Sequence, residues 1–411
     1  MNTLAFTVCF AVWTMFSIIG VPLKDDLGLS DTEFGLLVAM PILTGSLISL
    51  PLGMLTDKFG GRIVFFLLMV STIFPIWLVS TLTSYWALLV CGLFVGVAGG
   101  SFSVGISATA RWFEKKHQGF AMGIFGAGNA GAAVTKFVAP TLVVVYGWTM
   151  VPKVYAVAMT IMAIAYWFLV PREPSSHLVD KSITLKEQLR ALKDPTVWKY
   201  CQYYSLVFGG YVGVSLWMTR YYIGEYGVGI QLAALLAAIF VLPSGVIRAM
   251  GGWLSDKFGA HNVTWWVMWV SLVCLFFMSY PTTQVSITTL NGVPLEFTLG
   301  VNMWVFTSLL FVVGIAWGFG KASVFKYISD EYPHNIGVIS GIVGLIGGLG
   351  GFLLPIMFGA LVDIFHFNTV VWMLCFGITA VSLIWMWWTE RKPEHIQARK
   401  AYMDKMQQAY K

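Results

Sequence analysis

The stretch GMLTDKFGGR at residues 53–62 recurs as GWLSDKFGAH at residues 252–261, 199 positions later. Each copy follows an apolar run, so the same polar turn closes two equivalent segments. A second set of matches follows a different offset: GVAGG (96–100) with GIAWG (314–318), and GFAMGIFG (119–126) with GVISGIVG (337–344), are 218 apart. The two offsets differ by 19 residues, the length of the segment 282–300, which stands where the first half has a very short loop. Within that segment VSITT and VPLEFTL flank Leu290-Asn291-Gly292, and Asn-Gly between β-rich runs predicts a small hairpin. The chain is a duplicated unit with one insertion, and the duplication sets the architecture.

Composition names the solvent. Of 411 residues, 58% are hydrophobic and only 11% charged, whereas a soluble domain carries about 25% charged residues. A spanning helix needs roughly 20 apolar residues, and twelve such runs are present. Those of the first half are 3–23, 33–55, 62–82, 85–110, 119–145 and 152–171; those of the second are 200–223, 229–254, 262–281, 302–327, 337–360 and 369–389. The run 4–21 follows no basic region and precedes no small-residue cleavage site, so it reads as a retained first span rather than a secretory signal. The five cysteines lie in apolar stretches without CxxC spacing and read as buried free thiols.

Lysine and arginine set the predicted orientation, because cytoplasmic loops hold their excess. With the amino terminus inside, the inner loops, linker and tail hold 19 of the 25, and the outer side holds Lys24, Lys153 and Arg220. Both termini are thus expected in the cytoplasm. The net charge of +6 is accounted for by this asymmetry, without a nucleic-acid partner.

Two six-span halves related as parallel repeats resemble the major facilitator superfamily, whose substrate path runs between the halves. The resemblance implies an all-α membrane protein of twelve transmembrane helices: a first half at 1–171, a cytoplasmic linker at 172–199, a second half at 200–389 and a cytoplasmic tail at 390–411. The DKFG turns resemble that superfamily's signature after the second span. There Asp57 and Asp256 can cap or latch neighbouring helices, and the glycines permit a tight turn. Gly96/Gly100, Gly119/Gly123, Gly314/Gly318 and Gly337/Gly341 are GxxxG pairs, which let helix backbones approach closely in lipid.

GIFGAGNAGAAVTKF (123–137) and GLIGGLGGFLLP (344–355) resemble the paired glycine-rich signatures of the nitrate/nitrite porter family. The likeness extends to IRAMGGWLSDKFGA (247–260) and FGKASVFKYISDEYP (319–333). It implies conformational roles for Gly126, Gly128, Gly131, Gly347, Gly348, Gly350 and Gly351. It also implies that Asn129 donates an amide hydrogen bond to the anion, that Tyr204 and Phe208 share one helix face of the pocket, and that Phe102 forms an aromatic wall. For the aromatic residues, ordinary packing or lipid contact remains an open alternative.

The charges inside the spans point the same way independently. An ionisable residue there is costly and is a functional candidate by default. Lys136, Arg248 and Lys321 are the three, all cationic, while Glu33 and Asp363 sit at span ends. Fixed positive charge without an internal counter-ion calls for an anion. The planar fork of Arg248 suits the flat oxygens of nitrate or nitrite and stays charged when desolvated; the alternative is a guanidinium bound to a carbonyl or reaching the interface. Lys136 and Lys321 either bind the anion or extend toward a membrane boundary.

One departure stands out. The family carries two substrate arginines related by the repeat, and the 199-residue offset from Arg248 lands on Ser49 in TGSLISLPLG. Weak nitrate or nitrite carriage with one arginine, helped by Lys321 or Lys136, a different small anion, and an altered or inactive variant all remain open.

The expected activity is secondary transport of nitrate, nitrite or both across the bacterial inner membrane by alternating access, as nitrate/nitrite antiport or nitrate/proton symport. The alternative is carriage of another small anion or an organic solute on the same fold. The predicted partners are the inorganic anion, H+ and the bilayer, with the chain a monomer. Catalysis is disfavoured, since the six histidines lie in loops or at ends and no HExxH or phosphate loop is present. Neither cofactor nor metal is predicted.

Overall fold

The computed structural model describes residues 1–113, 121–122, 124–171, 192–288, 294–332 and 336–390. Twelve helical runs follow one another. The first six are α1 (Asn2–Leu27), α2 (Asp31–Phe59), α3 (Gly61–Val79), α4 (Tyr85–Arg111), α5 (Ile124–Tyr146) and α6 (Met150–Leu169). The run α7 is continuous through Pro195–Tyr204, a π-helical turn at Ser205–Gly209, and Gly210–Tyr226. The next, α8, is the bent pair Ile230–Val246 and Arg248–Phe258, followed by α9 (Ala260–Met278). The last three are α10 (Met303–Glu331), α11 (Ile336–Phe365) and α12 (Val370–Glu390). Ten of the described helices are long and apolar enough to cross a membrane, and the bent α8 makes eleven; α7, continuous through its π turn, is the twelfth run.

Several helices outrun the apolar stretches that announce them. Hydropathy ends at the first charge, whereas a helix ends where its backbone groups are capped. Ser30 and Glu33 form a reciprocal capping box that starts α2 at Asp31. Asp194 caps α7 through the backbone N–H of Thr196, with Pro195 in the first turn, and Asn302 accepts from the backbone N–H of Trp304 to start α10.

The repeat seen in sequence is repeated in backbone geometry. Gly60 ends α2 at φ 88° and Gly259 ends the second segment of α8 at φ 85°, a region that L side chains rarely enter. Beside these turns Asp57 pairs with Arg111, tying α2 to α4, and Asp256 pairs with Lys326 at 3.3 Å, tying α8 to α10. Equivalent helices are latched in each half. The insertion forms the predicted hairpin: β1 (Thr283–Thr288) pairs antiparallel with β2 (Pro294–Leu299), Thr283 opposite Leu299 and Thr288 opposite Pro294. Its Asn291-Gly292 tip lies outside the described residues, as do Gly119, Gly123, residues 172–191 of the 172–199 linker and residues 391–411 of the tail.

All five cysteines are buried and free. Large apolar side chains such as Phe74, Trp86, Phe168 and Trp266 are exposed on the outside of the bundle, an arrangement stable in lipid and not in water.

The two halves meet tightly at one end. The carboxylate of Asp363 in α11 accepts from the backbone N–H of Asp31 (3.0 Å) and of Thr32 (2.8 Å), and from the Thr32 hydroxyl, so one half caps a helix of the other. Arg220 of α7 grips Asp31 at 3.0 Å, and Lys24 stands 3.7 Å from the same carboxylate. Nearby, a Cβ added at Gly35 would overlap the Pro355 carbonyl oxygen, and one at Gly359 would overlap that of Asp31. Backbone rests on backbone here. The ion pairs described at the opposite end, Asp57–Arg111 and Asp256–Lys326, join helices of the same half.

Candidate functional site

The α8 run carries Pro243 in its first segment and bends by 48° between Val246 and Arg248, one turn beyond the proline. Arg248 is therefore the first residue of a new helical segment. Its guanidinium lies 5.5 Å from the ring centre of Phe102 in α4 and 5.7 Å from that of Phe325 in α10, and it lies within electrostatic reach of the Tyr204 hydroxyl of α7. Among the described residues no carboxylate pairs with it. Phe102 belongs to the first half and Phe325 to the second, so the cation sits where the halves face each other.

Aromatic packing fixes the partners of Arg248. The Tyr204 ring stacks on Phe208 at 5.1 Å, with 13° between planes, and meets the edge of Phe325 at 4.7 Å. The π turn begins directly after Tyr204; such single turns re-aim the side chains around them. Phe102 is braced by Phe6 of α1 at 5.6 Å, which itself stacks on Phe125 of α5 at 4.8 Å.

The glycine-rich signatures make room for these groups. A Cβ at Gly347 would run into the Tyr204 ring, one at Gly350 would lie 3.1 Å from Ser205, and one at Gly351 would lie 3.0 Å from Val212, so this signature seats α11 on α7. Gly348 faces the other way, toward Ser46 of α2. In the first signature, Gly131 abuts the Thr7 carbonyl and Gly128 abuts Phe6, seating α5 on α1. Gly126 has nothing within 4 Å of an added Cβ.

Asn129 is 1% exposed, its Cβ 3.4 Å from one built on Gly245 of α8, three residues before Arg248. Its amide nitrogen has no hydrogen-bond partner among the described residues. A buried, unspent donor is costly, and this one lies at the junction of the halves. Lys321 is fully buried, its ammonium 3.6 Å from the ring centre of Tyr211. It too lacks a hydrogen-bond partner among the described residues and lies within electrostatic reach of Arg248.

The remaining residues singled out from sequence fall elsewhere. Ser49 is half-buried and donates to the Gly45 carbonyl of its own helix at 2.6 Å, one turn along from Ser46, which meets α11. Lys136 makes its contacts with Ser17 and Thr219, 3.4 Å from each. Asp57 and Asp256 hold helix ends together, away from the Arg248 cluster.

Two features were not singled out from sequence. Phe325 follows Lys321 by four residues in FGKASVFKYISDEYP, a spacing that places both on one helix face and was a legible signal. The closure by Asp31, Arg220 and Asp363 joins residues 189 to 332 positions apart, and no local pattern announces it.

The profile of the Major Facilitator Superfamily matches residues 2–355. The chain is 39% identical over 400 residues to the Thermus thermophilus protein named "Probable nitrate/nitrite antiporter NarK1", covering 94% of this chain and 89% of that one. It is 28% identical to the "Nitrite extrusion protein" of Bacillus subtilis, covering 97% and 96%. Among solved structures, a point mutant of the nucleoside transporter NupG aligns with a TM-score of 0.72 at 15% identity, over 94% of this chain and 98% of that one. A bacterial homolog of the human lysosomal transporter Spinster, in an inward-facing and unoccupied conformation, aligns at 0.66 and 16% identity, over 94% and 91%. Those two likenesses concern the fold alone. The chain is a multi-pass membrane protein of the Major Facilitator Superfamily and belongs within it to the nitrate/nitrite porters.

Proposed function

We propose that the protein carries nitrate and nitrite across the bacterial inner membrane by alternating access, with Arg248 as the principal anion ligand. The observation that carries this reading is the guanidinium itself. It lies between Phe102 and Phe325, within electrostatic reach of the Tyr204 hydroxyl, with no carboxylate partner among the described residues. A guanidinium offers five N–H donors in one plane, which suit a flat oxyanion, and the flanking rings match such a guest. Asn129 supplies a further donor and Lys321 a second positive charge, both buried nearby without hydrogen-bond partners among the described residues. The names of the relatives agree with this substrate class.

The halves at 1–171 and 200–389 move as units joined by the linker at 172–199, with both termini cytoplasmic. The end closed by Asp31, Arg220 and Asp363 is then the outer end. Exchange of one anion for another suits the site, because the guest neutralises the cations before the halves close over it, and no intramembrane acid relay is required. The chain functions as a monomer.

Ser49 favours a second reading, carriage of another small oxyanion, since the repeat-related arginine is absent and both cations of the site, Arg248 and Lys321, come from the second half. Counterflow distinguishes the two. Proteoliposomes preloaded with nitrite are expected to accumulate labelled nitrate, with and without a pH gradient. Failure of nitrate and nitrite to exchange, while another oxyanion does, would establish the second reading.

A further inference from the structure

Lys136 stands apart from the Arg248 cluster. It lies seven residues beyond Asn129 on α5, which puts it about 10 Å further along the helix and close to the same face. Both residues look toward the second half, Asn129 onto Gly245 of α8 and Lys136 onto Thr219 of α7. Thr219 is the neighbour of Arg220, which holds Asp31 in the closed end. Lys136 thus lies further along α5 than Asn129, toward the closure held by Arg220 and Asp31.

Its surroundings do not balance its charge. The side chain is 3% exposed, and its described partners are two hydroxyls at the long distance of 3.4 Å: Ser17 of α1 in its own half and Thr219 across the junction. Both are themselves buried. No carboxylate pairs with Lys136 among the described residues. A buried ammonium held only by two stretched hydrogen bonds is poorly compensated. One of those bonds also crosses between the halves, so it is lost when the closed end opens.

We propose that Lys136 is a second anion station, on the path between the closed end and Arg248, for the same class of small inorganic oxyanion. With the end open, the Thr219 hydroxyl has withdrawn and the ammonium faces incoming solvent. It takes the anion there and passes it two helical turns onward to Arg248. With the end closed, the two hydroxyls stand where the anion was. A lysine suits this task better than an arginine: it is a compact point charge on a flexible stem, and it attracts an oxyanion without gripping it in a planar fork.

The inference rests on the porter reading and separates from it in one experiment. Nitrate half-saturation is measured in proteoliposomes at each face in turn, for the intact protein, Lys136→Met, Lys136→Arg and Arg248→Lys. Lys136→Met is expected to raise half-saturation about tenfold or more at the face of the closed end and to leave the other face within about twofold. Lys136→Arg keeps the charge and is expected to restore most of the loss, whereas Arg248→Lys raises both faces. An equal rise at both faces in Lys136→Met, or none at either, overturns the second station. Should Lys136→Met fail to fold, Lys136→Gln, which keeps a hydrogen bond without the charge, gives the same reading. Absence of nitrate transport by the intact protein overturns the porter reading, and the station with it.

Discussion

The closed end and the centre of the molecule treat charge in opposite ways. At the closed end Arg220 and Lys24 share the acid Asp31, and Asp363 spends its oxygens on the first turn of α2. At the centre, Arg248 and Lys321 lie near each other with no acid in contact among the described residues, and an aromatic frame surrounds them. The first arrangement is self-sufficient and holds the halves together. The second lacks an acid among the described residues, and in the proposed reading an anion completes it. A transporter needs both, a latch satisfied by the chain and a site satisfied only by its cargo.

Arg248→Ala tests the incomplete side most severely. If the half-buried Arg248 pairs with the anion as proposed, removing that charge costs about 2–5 kcal/mol, so nitrate affinity is expected to fall at least about 30-fold while the purified protein stays folded. Titration of nitrate binding against thermal melting in detergent reads both quantities. Unchanged affinity would sink the assignment.

Ser49→Arg sharpens the same side by addition. A second guanidinium supplies charge-assisted hydrogen bonds worth about 1.5–3 kcal/mol each, and nitrate binding is expected to tighten by about tenfold or more. If binding and transport stay as they were, a clamp from both halves is not what this carrier lacks.

Asp363→Asn attacks the self-sufficient side. The amide retains the shape but loses the charge that complements the start of α2, an interaction worth about 0.3–2 kcal/mol. The closed end is expected to open more often. A cysteine introduced at Gly35, whose site faces the Pro355 carbonyl, would itself disturb the closure, while one at Thr219 serves as a reporter. Faster labelling at Thr219→Cys in the Asp363→Asn background is expected, and an unaltered rate would show that the cap does not govern closure.

The smallest effects compare two glycines of the signatures. Gly347→Ala drives a methyl into the Tyr204 ring, and overpacking of this kind costs about 1–3 kcal/mol. Gly126→Ala meets open space and is expected to stay within about 0.5 kcal/mol. Melting temperatures of the two variants, with transport alongside, check the contrast; equal losses would mean that the signature glycines act through helix flexibility rather than through room for the ring.

Much of the fold was legible because duplication leaves a local record. The 19-residue difference between the two offsets marks the hairpin, and the DKFG turns carry two glycines with nearly the same backbone angles, φ 88° and 85°. Helix ends were less legible, since capping by Ser30, Asp194 and Asn302 sets them outside the apolar cores. At the site, the unpaired arginine could be read from the scarcity of acids within the spans. Its aromatic neighbours could be read only in part. Phe102 and Tyr204 come from two helices of different halves, and they approach Arg248 next to the π turn of α7 and the bend of α8. Neither distortion is spelled out by hydropathy. The closure was invisible for a related reason: Asp31, Arg220 and Asp363 look like ordinary loop charges until three distant helix ends are brought together.

The central claim is that the guanidinium at 248 is completed by a small anion, and locating such an anion tests it most directly. Anomalous diffraction from crystals grown with bromide, a scattering stand-in for the oxyanion, is expected to place a peak within hydrogen-bonding distance of Arg248, framed by Phe102, Tyr204 and Phe325. Bromide found only elsewhere, with the Arg248 guanidinium turned to a carboxylate or out into the lipid, would contradict the account.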